Sequence, residues 1–253
     1  MTRLLGLTES GGFRARFTGH RDCELHTINP CGGIAGGDQV SIEVMADPGA
    51  RLRVTSAAPE RLYRAADDLV ARVDVTLRAA KESQIEWLPQ ETLIYEGARC
   101  ARRLDVEAAE DARVLMAEML VFGRRAHGER LRSAVLADRW RIRVGQRLRF
   151  AEQFRLAGDL RSVLAEPAIA AGAGAAALFL YVTRNAEERL AWSRGALVTS
   201  AAVQAAASGL PDVLVVRWLA QDAEALAAAV QEFVERFRGQ ALPRSWSRGA
   251  SCN

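Results

Sequence analysis

A two-residue hydrophobic period runs through residues 13–157 and limits the fold more than any other feature. Leu69, Ala71, Val73, Val75 and Leu77 alternate with Val70, Arg72, Asp74, Thr76 and Arg78. Leu148, Phe150, Phe154 and Leu156 alternate with Arg147, Arg149, Gln153 and Arg155, and Trp140, Ile142 and Val144 alternate with Arg139, Arg141 and Arg143. Successive side chains of a strand point to opposite faces, so each run is a half-buried strand. Residues 114–122 are apolar on both faces apart from Glu118, the pattern of a central strand. The turn signals between runs are Asp47-Pro48-Gly49, Glu96-Gly97, Gly145-Gln146 and Gly158-Asp159. Strands without helices between them imply a mainly β fold of many antiparallel strands in packed or coiled sheets, a β-sandwich or β-helical-like arrangement. They argue against a doubly wound βαβ fold.

The C-terminal third changes character. Residues 177–183 and 213–219 read as strands. Asn185 is placed to cap a helix carrying Glu187, Glu188, Leu190 and Trp192. Asp222 is placed to cap a second helix, with Leu226, Val230, Phe233 and Phe237 on one face, Arg236 and Arg238 near its end and Gly239 beyond. About two α-helices are therefore expected here. The uncharged stretches 167–183 and 195–211 fall short of the roughly 20 residues of a spanning helix and read as buried segments, with no membrane partner. No linker and no repeat divides the chain, which predicts a single domain over 1–253.

Absences narrow the function. A formal charge of +3 over 253 residues is too small to imply a nucleic-acid partner. Cys23, Cys31, Cys100 and Cys252 form no C-x-x-C pair, and no signal peptide is evident, which points to reduced thiols in the cytoplasm. Lys81 is the sole lysine, so the chain has no Walker A loop. H-E-x-x-H and G-x-S-x-G motifs are also missing, and three histidines leave little material for a triad. No catalytic residues and no tightly bound cofactor are expected.

Three places carry chemistry. The stretch Asn29-Pro30-Cys31-Gly32-Gly33-Ile34-Ala35-Gly36-Gly37-Asp38 is either a loop that docks a partner or a glycine turn between strands. His20-x-x-Cys23-x-x-His26, with Cys31 beyond, holds soft ligands for a nickel- or zinc-type ion, although an extended strand would point His20 and His26 away from Cys23. Glu118 sits in an apolar run, where a carboxylate needs a partner. It is either part of a polar lining for a cation or one half of an ion pair, with Arg124 and Arg125 as nearby candidates. Glu91 and Glu152 invite the same question.

Residues 29–38 resemble the Gly-Gly-Ile/Leu-x-Gly-Gly-Asp signature of the urease accessory protein UreD (UreH) family. Thr55-Ser56-Ala57-Ala58-Pro59-Glu60-Arg61-Leu62-Tyr63-Arg64, Trp87-Leu88-Pro89-Gln90-Glu91-Thr92, Glu118, Phe122-Gly123-Arg124, Gly128-Glu129 and Leu242-Pro243-Arg244-x-Trp246 are similar to further family blocks in the same order. Cys31 and Pro59 depart from the family's usual residues, and the first twenty residues carry little resemblance. The resemblance implies a non-catalytic, mainly β protein that binds apo-urease and UreF, which recruits the GTPase UreG. The assembly delivers nickel and permits carbamylation of the urease active-site lysine, with a nickel route through UreD. Asp38, Glu60, Glu91, Glu118 and Glu129 become candidate contacts for transient Ni²⁺, with His26 and Cys31 weaker candidates. Gly32, Gly33, Gly36, Gly37, Tyr63 and Arg124 become a partner-binding or structural loop. Two rival readings are a basic β-rich module that binds an acidic partner through the Arg139, Arg141 and Arg143 face, and a small-molecule enzyme built on His26, Asp38 and Tyr63.

Overall fold

The computed structural model describes residues 2–18, 23–124, 128–129 and 131–246. Among these residues the strands are β1 (Arg14–Thr18), β2 (Cys23–Ile28), β3 (Gln39–Ala46), β4 (Arg51–Ser56), β5 (Glu60–Leu62), β6 (Ala71–Ala79), β7 (Gln84–Leu88), β8 (Thr92–Ile94), β9 (Arg99–Ala108), β10 (Arg113–Phe122), β11 (Val135–Val144) and β12 (Arg147–Leu156). There follow α1 (Leu160–Ala165), β13 (Ala175–Val182), α2 (Leu190–Ala196), β14 (Val203–Leu210), β15 (Val213–Ala220) and α3 (Ala223–Arg238). The larger of two sheets is ordered β1-β2-β4-β7-β10-β13-β15-β14, with β8 attached to β10 and β5 to β8; the smaller is ordered β12-β11-β9-β6-β3.

The chain order makes these sheets a coil. From β2 to β11 the long strands alternate between the two sheets. Parallel neighbours need a crossover, usually a helix; here a strand of the facing sheet serves. The pairs β2–β4, β4–β7, β7–β10, β3–β6, β6–β9 and β9–β11 are accordingly parallel. This bears out the mainly β, coiled-sheet expectation and corrects its antiparallel part. Antiparallel pairing holds for β1–β2, β11–β12, β10–β13, β13–β15 and β14–β15. A period of two reports which face is buried, and both pairing directions share it.

The predicted inward residues Val75, Leu77, Trp140, Ile142, Phe150 and Leu156 are buried between the sheets. Leu148 is not, because β11 pairs Ile142 with Phe150 and Arg143 with Leu148. Arg149 is thus an extra residue, a bulge that turns Leu148 outward to 47% exposure. Leu69 lies before β6 and is also exposed.

Helix α3 covers the outer face of the larger sheet, with Leu226, Val230, Phe233 and Phe237 against Leu115, Phe179 and Trp218. Phe179 meets Phe233 and Phe237 edge-on, at 5.3 and 5.0 Å between centroids. The Asp222 carboxylate accepts from Ala225 N at 2.8 Å, and Gly239 ends the helix at φ +69°, as expected. Asn185 does not cap. It sits at φ +58° without a side-chain cap bond and leads into a 3-10 turn, Ala186–Arg189, ahead of α2. Helix α1 was not expected, since it is six residues long with only Leu160 and Leu164 buried, too short for a period to show. Within 195–211, β14 is an edge strand with alternate residues exposed, so that stretch is half-buried and not fully interior. Among the described residues no helix is long and apolar enough to cross a membrane.

Candidate functional site

The space between the sheets holds two apolar clusters. One contains Leu77, Ile85, Leu104, Met116, Ile142 and Val215; the other contains Ile94, Cys100, Phe122, Leu136, Leu156 and Leu160. Several strands pass from one cluster to the other, and five of them place a charged side chain where the clusters meet: Arg102 on β9, Glu118 on β10, Asp138 on β11, Glu152 on β12 and Arg217 on β15. The result is a charged seam that runs from a buried group, Arg102, Glu118 and Asp138, to a more exposed pair, Arg217 and Glu152.

Two ion-pair groups make up the seam. Arg102 bridges the sheets, donating from Nη2 to Glu118 and from Nη1 to Asp138 at 3.3 Å. Two indoles hold the carboxylates from the side: Trp87 donates to Glu118 at 2.7 Å and Trp140 to Asp138 at 3.2 Å. Arg217 pairs with Glu152. Burial opposes the charge on Arg102, but Asp138 and Glu118 outweigh it and raise its pKa. Burial pushes the Asp138 carboxyl up, against the pull of Arg102.

Cavities lie along the seam. A pocket of about 400 Å³ opens at one side, lined by Glu118, Asp138, Glu152 and Arg217 among apolar residues such as Leu120, Phe154 and Leu178. A smaller cavity of about 70 Å³ shares Glu118 with it and is lined by Arg102, Trp87, Gln90, Thr27 and Glu60. A third, also about 70 Å³, shares Thr27, Ser56 and Glu60 with the second and reaches Asn29, Gly32 and Pro59. Glu60 stands at that junction. Its Oε1 accepts from Asn29 Nδ2 at 3.0 Å and from Arg61 N at 3.1 Å, and burial nonetheless holds its carboxyl above the ordinary range.

The candidate residues therefore separate. Glu60 and Glu118 line the interior cavities. The partner of Glu118 is Arg102, across the sandwich, and not Arg124; Arg125 lies outside the described residues. Arg124 instead pairs with Glu129 at 2.7 Å, and its guanidinium lies 4.4 Å from the Tyr95 ring centre. Glu129 also accepts from Glu96 N at 3.2 Å, so this pair ties down a corner. Asp38 is exposed, and its carboxylate accepts from Ala35 N at 2.8 Å, closing the glycine loop. Glu91 is half-buried and tied to Glu60 through its backbone, whose carbonyl accepts from Glu60 N at 3.0 Å. His26 bonds Glu24 at 2.9 Å, Cys31 is exposed, and His20 lies outside the described residues. Among the described residues no three His, Cys, Asp or Glu side chains converge as a metal cluster.

The glycine loop is built by close packing. A Cβ on Gly33 would lie 2.3 Å from the Tyr63 ring and 2.7 Å from the Arg61 carbonyl; one on Gly36 would lie 2.8 Å from Ala65 and from the Leu69 carbonyl. Tyr63 Oη donates to the Gly32 carbonyl at 3.0 Å, and Asn29 spans the loop, donating to the Gly33 carbonyl at 3.0 Å and accepting from Cys31 N at 3.1 Å. On the outer face of the smaller sheet, Arg139 pairs with Asp105, Arg103 with Asp74 and Arg78 with Glu43 and Glu107, so acids are interleaved with the arginines there.

Sequence reasoning missed Arg102 and Asp138. The signal was present: Cys100, Leu104, Val106 and Ala108 alternate around Arg102, and Leu136, Trp140 and Ile142 around Asp138, so both occupy inward positions. A second buried network was missed as well. Arg53 bonds Glu24 at 3.0 Å and Glu86 at 2.6 Å, and Arg238 of α3 bonds Glu86 at 2.9 Å.

The model of the UreD urease accessory protein family matches residues 2–248. The urease accessory protein UreD of Xanthobacter autotrophicus is 42% identical over 248 residues, covering 98% of this chain and 85% of the relative. The UreD of Azorhizobium caulinodans is 41% identical, covering 97% and 91%, and UreD 1 of a Bradyrhizobium species is 42% identical, covering 97% and 88%. With likeness of this degree along nearly its whole length, the chain belongs to the UreD family: it is an accessory protein in urease maturation and not an enzyme.

Proposed function

We propose that the protein is a scaffold that binds apo-urease and UreF, which recruits UreG, and that Ni²⁺ destined for urease crosses it along the charged seam. The observation that carries this reading is the run of three neighbouring cavities between the sheets, which share Glu60 and Glu118 as lining residues. Along the three cavities four carboxylates (Glu60, Glu118, Asp138 and Glu152) face three guanidiniums (Arg61, Arg102 and Arg217), an excess of one negative charge that favours cations. Oxygen ligands suit passage, because imidazole and thiolate hold a nickel ion more tightly. A scaffold that carries donor and acceptor together turns metal transfer into a local event and keeps the ion from competing ligands.

Glu60→Gln is the test. Both donors to Glu60 reach the same oxygen, Oε1, so the amide keeps both bonds and removes only the charge. The variant is expected to co-purify normally with apo-urease and UreF and to lower the nickel content of urease at limiting nickel. Full nickel content with the variant would overturn the route.

A further inference from the structure

We propose that Arg102 is a resident counter-ion that keeps the middle of the seam from trapping the ion it passes. The inference rests on the nickel route above and concerns what releases the ion. Arg102 rises from the middle strand of the smaller sheet and bridges two carboxylates, Glu118 on the opposite sheet and Asp138 beside it. Its planar fork serves both at once, one terminal nitrogen to each carboxylate. The indoles of Trp87 and Trp140 each hold one of these carboxylates independently of Arg102. The carboxylates would therefore stay aimed at the same space if the guanidinium left. Glu60 lines the cavity that Arg102 and Glu118 also line, while Asp138 lines the larger pocket on the other side of Glu118.

Two carboxylates thus flank one guanidinium. With both ionised the group carries one net negative charge; without Arg102 it would carry two, the complement of one divalent cation. Bare, a pair of oriented carboxylates in a low-dielectric cavity is a hard-oxygen cation site. Occupied by Arg102, the same oxygens are open to a cation only in exchange for the guanidinium. The guanidinium is tethered, so it competes at high effective concentration and returns as soon as the ion moves. Arg102 is not a ligand; it sets the dwell time of the ion.

The full chain with Arg102→Met tests this, with Ni²⁺ alone as the probe, by titration calorimetry and by metal retained after desalting. The variant is expected to bind Ni²⁺ about tenfold or more tightly than the unchanged protein, and to melt higher with Ni²⁺ than without. Adding Asp138→Asn is expected to abolish the gain. A folded Arg102→Met chain that binds Ni²⁺ no better than the unchanged protein overturns the proposal. Should that variant fail to fold, Arg102→Gln decides by the same criterion, since the amide removes the counter-ion's charge and keeps hydrogen-bond donors to the carboxylates. The outcomes separate the two ideas. A gain in Arg102→Met alongside normal urease loading by Glu60→Gln keeps the masked site and removes the route. Blocked loading by Glu60→Gln with no gain in Arg102→Met keeps the route and removes this role.

Discussion

Glu60 and Glu118 are both acids in the interior, yet they respond to substitution in opposite ways. Burial holds the Glu60 carboxyl above its ordinary 4.5. The unfolded chain loses that proton first, so Glu60 withdraws stability as pH rises from about 4.5 through its folded pKa, and the deficit stays constant above. Glu60→Gln removes the deficit. Thermal melts are expected to show the variant more stable than the unchanged protein at neutral pH and equal to it in acid. Glu118→Gln leaves one oxygen for two donors, Trp87 and Arg102, and breaks a buried ion pair, a loss of about 3–5 kcal/mol by urea unfolding. Nickel loading by that variant is therefore confounded by folding. Gly33→Ala is expected to cost about 1–3 kcal/mol by the same measurement, because the ring of Tyr63 and the Arg61 backbone occupy the space. At this scale the sequence showed that Glu118 is buried, but its partner lies sixteen positions away on the other sheet. Loop neighbours such as Arg124 were the natural candidates only because sequence distance was all there was to judge by.

Helix α3 shows how far an element can be legible and where that stops. Its cap, its apolar face and its terminal glycine could all be read, because each depends on residues within a few positions. Asp222→Ala is expected to cost about 1 kcal/mol, read as a lower thermal midpoint. What fastens the far end was hidden. Arg238, with a side chain 1% exposed, bonds Glu86 of β7, which bonds Arg53 of β4, which bonds Glu24 of β2. Burial works against the Glu24 charge, but His26 and Arg53 bond it and hold its carboxyl below the ordinary range. A depressed carboxyl stabilises above its unfolded pKa and releases that stability as pH falls through the folded value. Hydrogen exchange below about pH 4.5 is therefore expected to loosen β2 and the C-terminal turn of α3 before the centre of β10. Equal protection of all three would contradict this. The failure at Asn185 has the same origin as the success at Asp222: capping is local, but a residue held at φ +58° by the preceding turn is in no position to cap.

Across the whole molecule, strand content could be read and pairing direction could not. Alternation in β6, β11 and β12 marked the buried faces, whereas the alternation of long strands between sheets is a property of chain order in space. The larger sheet is apolar on both faces, one toward the smaller sheet and one toward α3. A chain ended after Gln221 would bare Leu115, Phe179 and Trp218 and is expected in the insoluble fraction on expression. The coil also fixes a dimension. Each full turn adds one strand to each sheet, and with each strand one inward position at the height where the two apolar clusters meet. A protein lengthened by one such turn would grow wider by a single strand spacing, about 4.8 Å, and gain one more rung at which an ionic side chain could be installed, leaving every existing rung in register. The reach of this corridor is therefore a matter of how many times the chain winds, while its chemistry is chosen rung by rung.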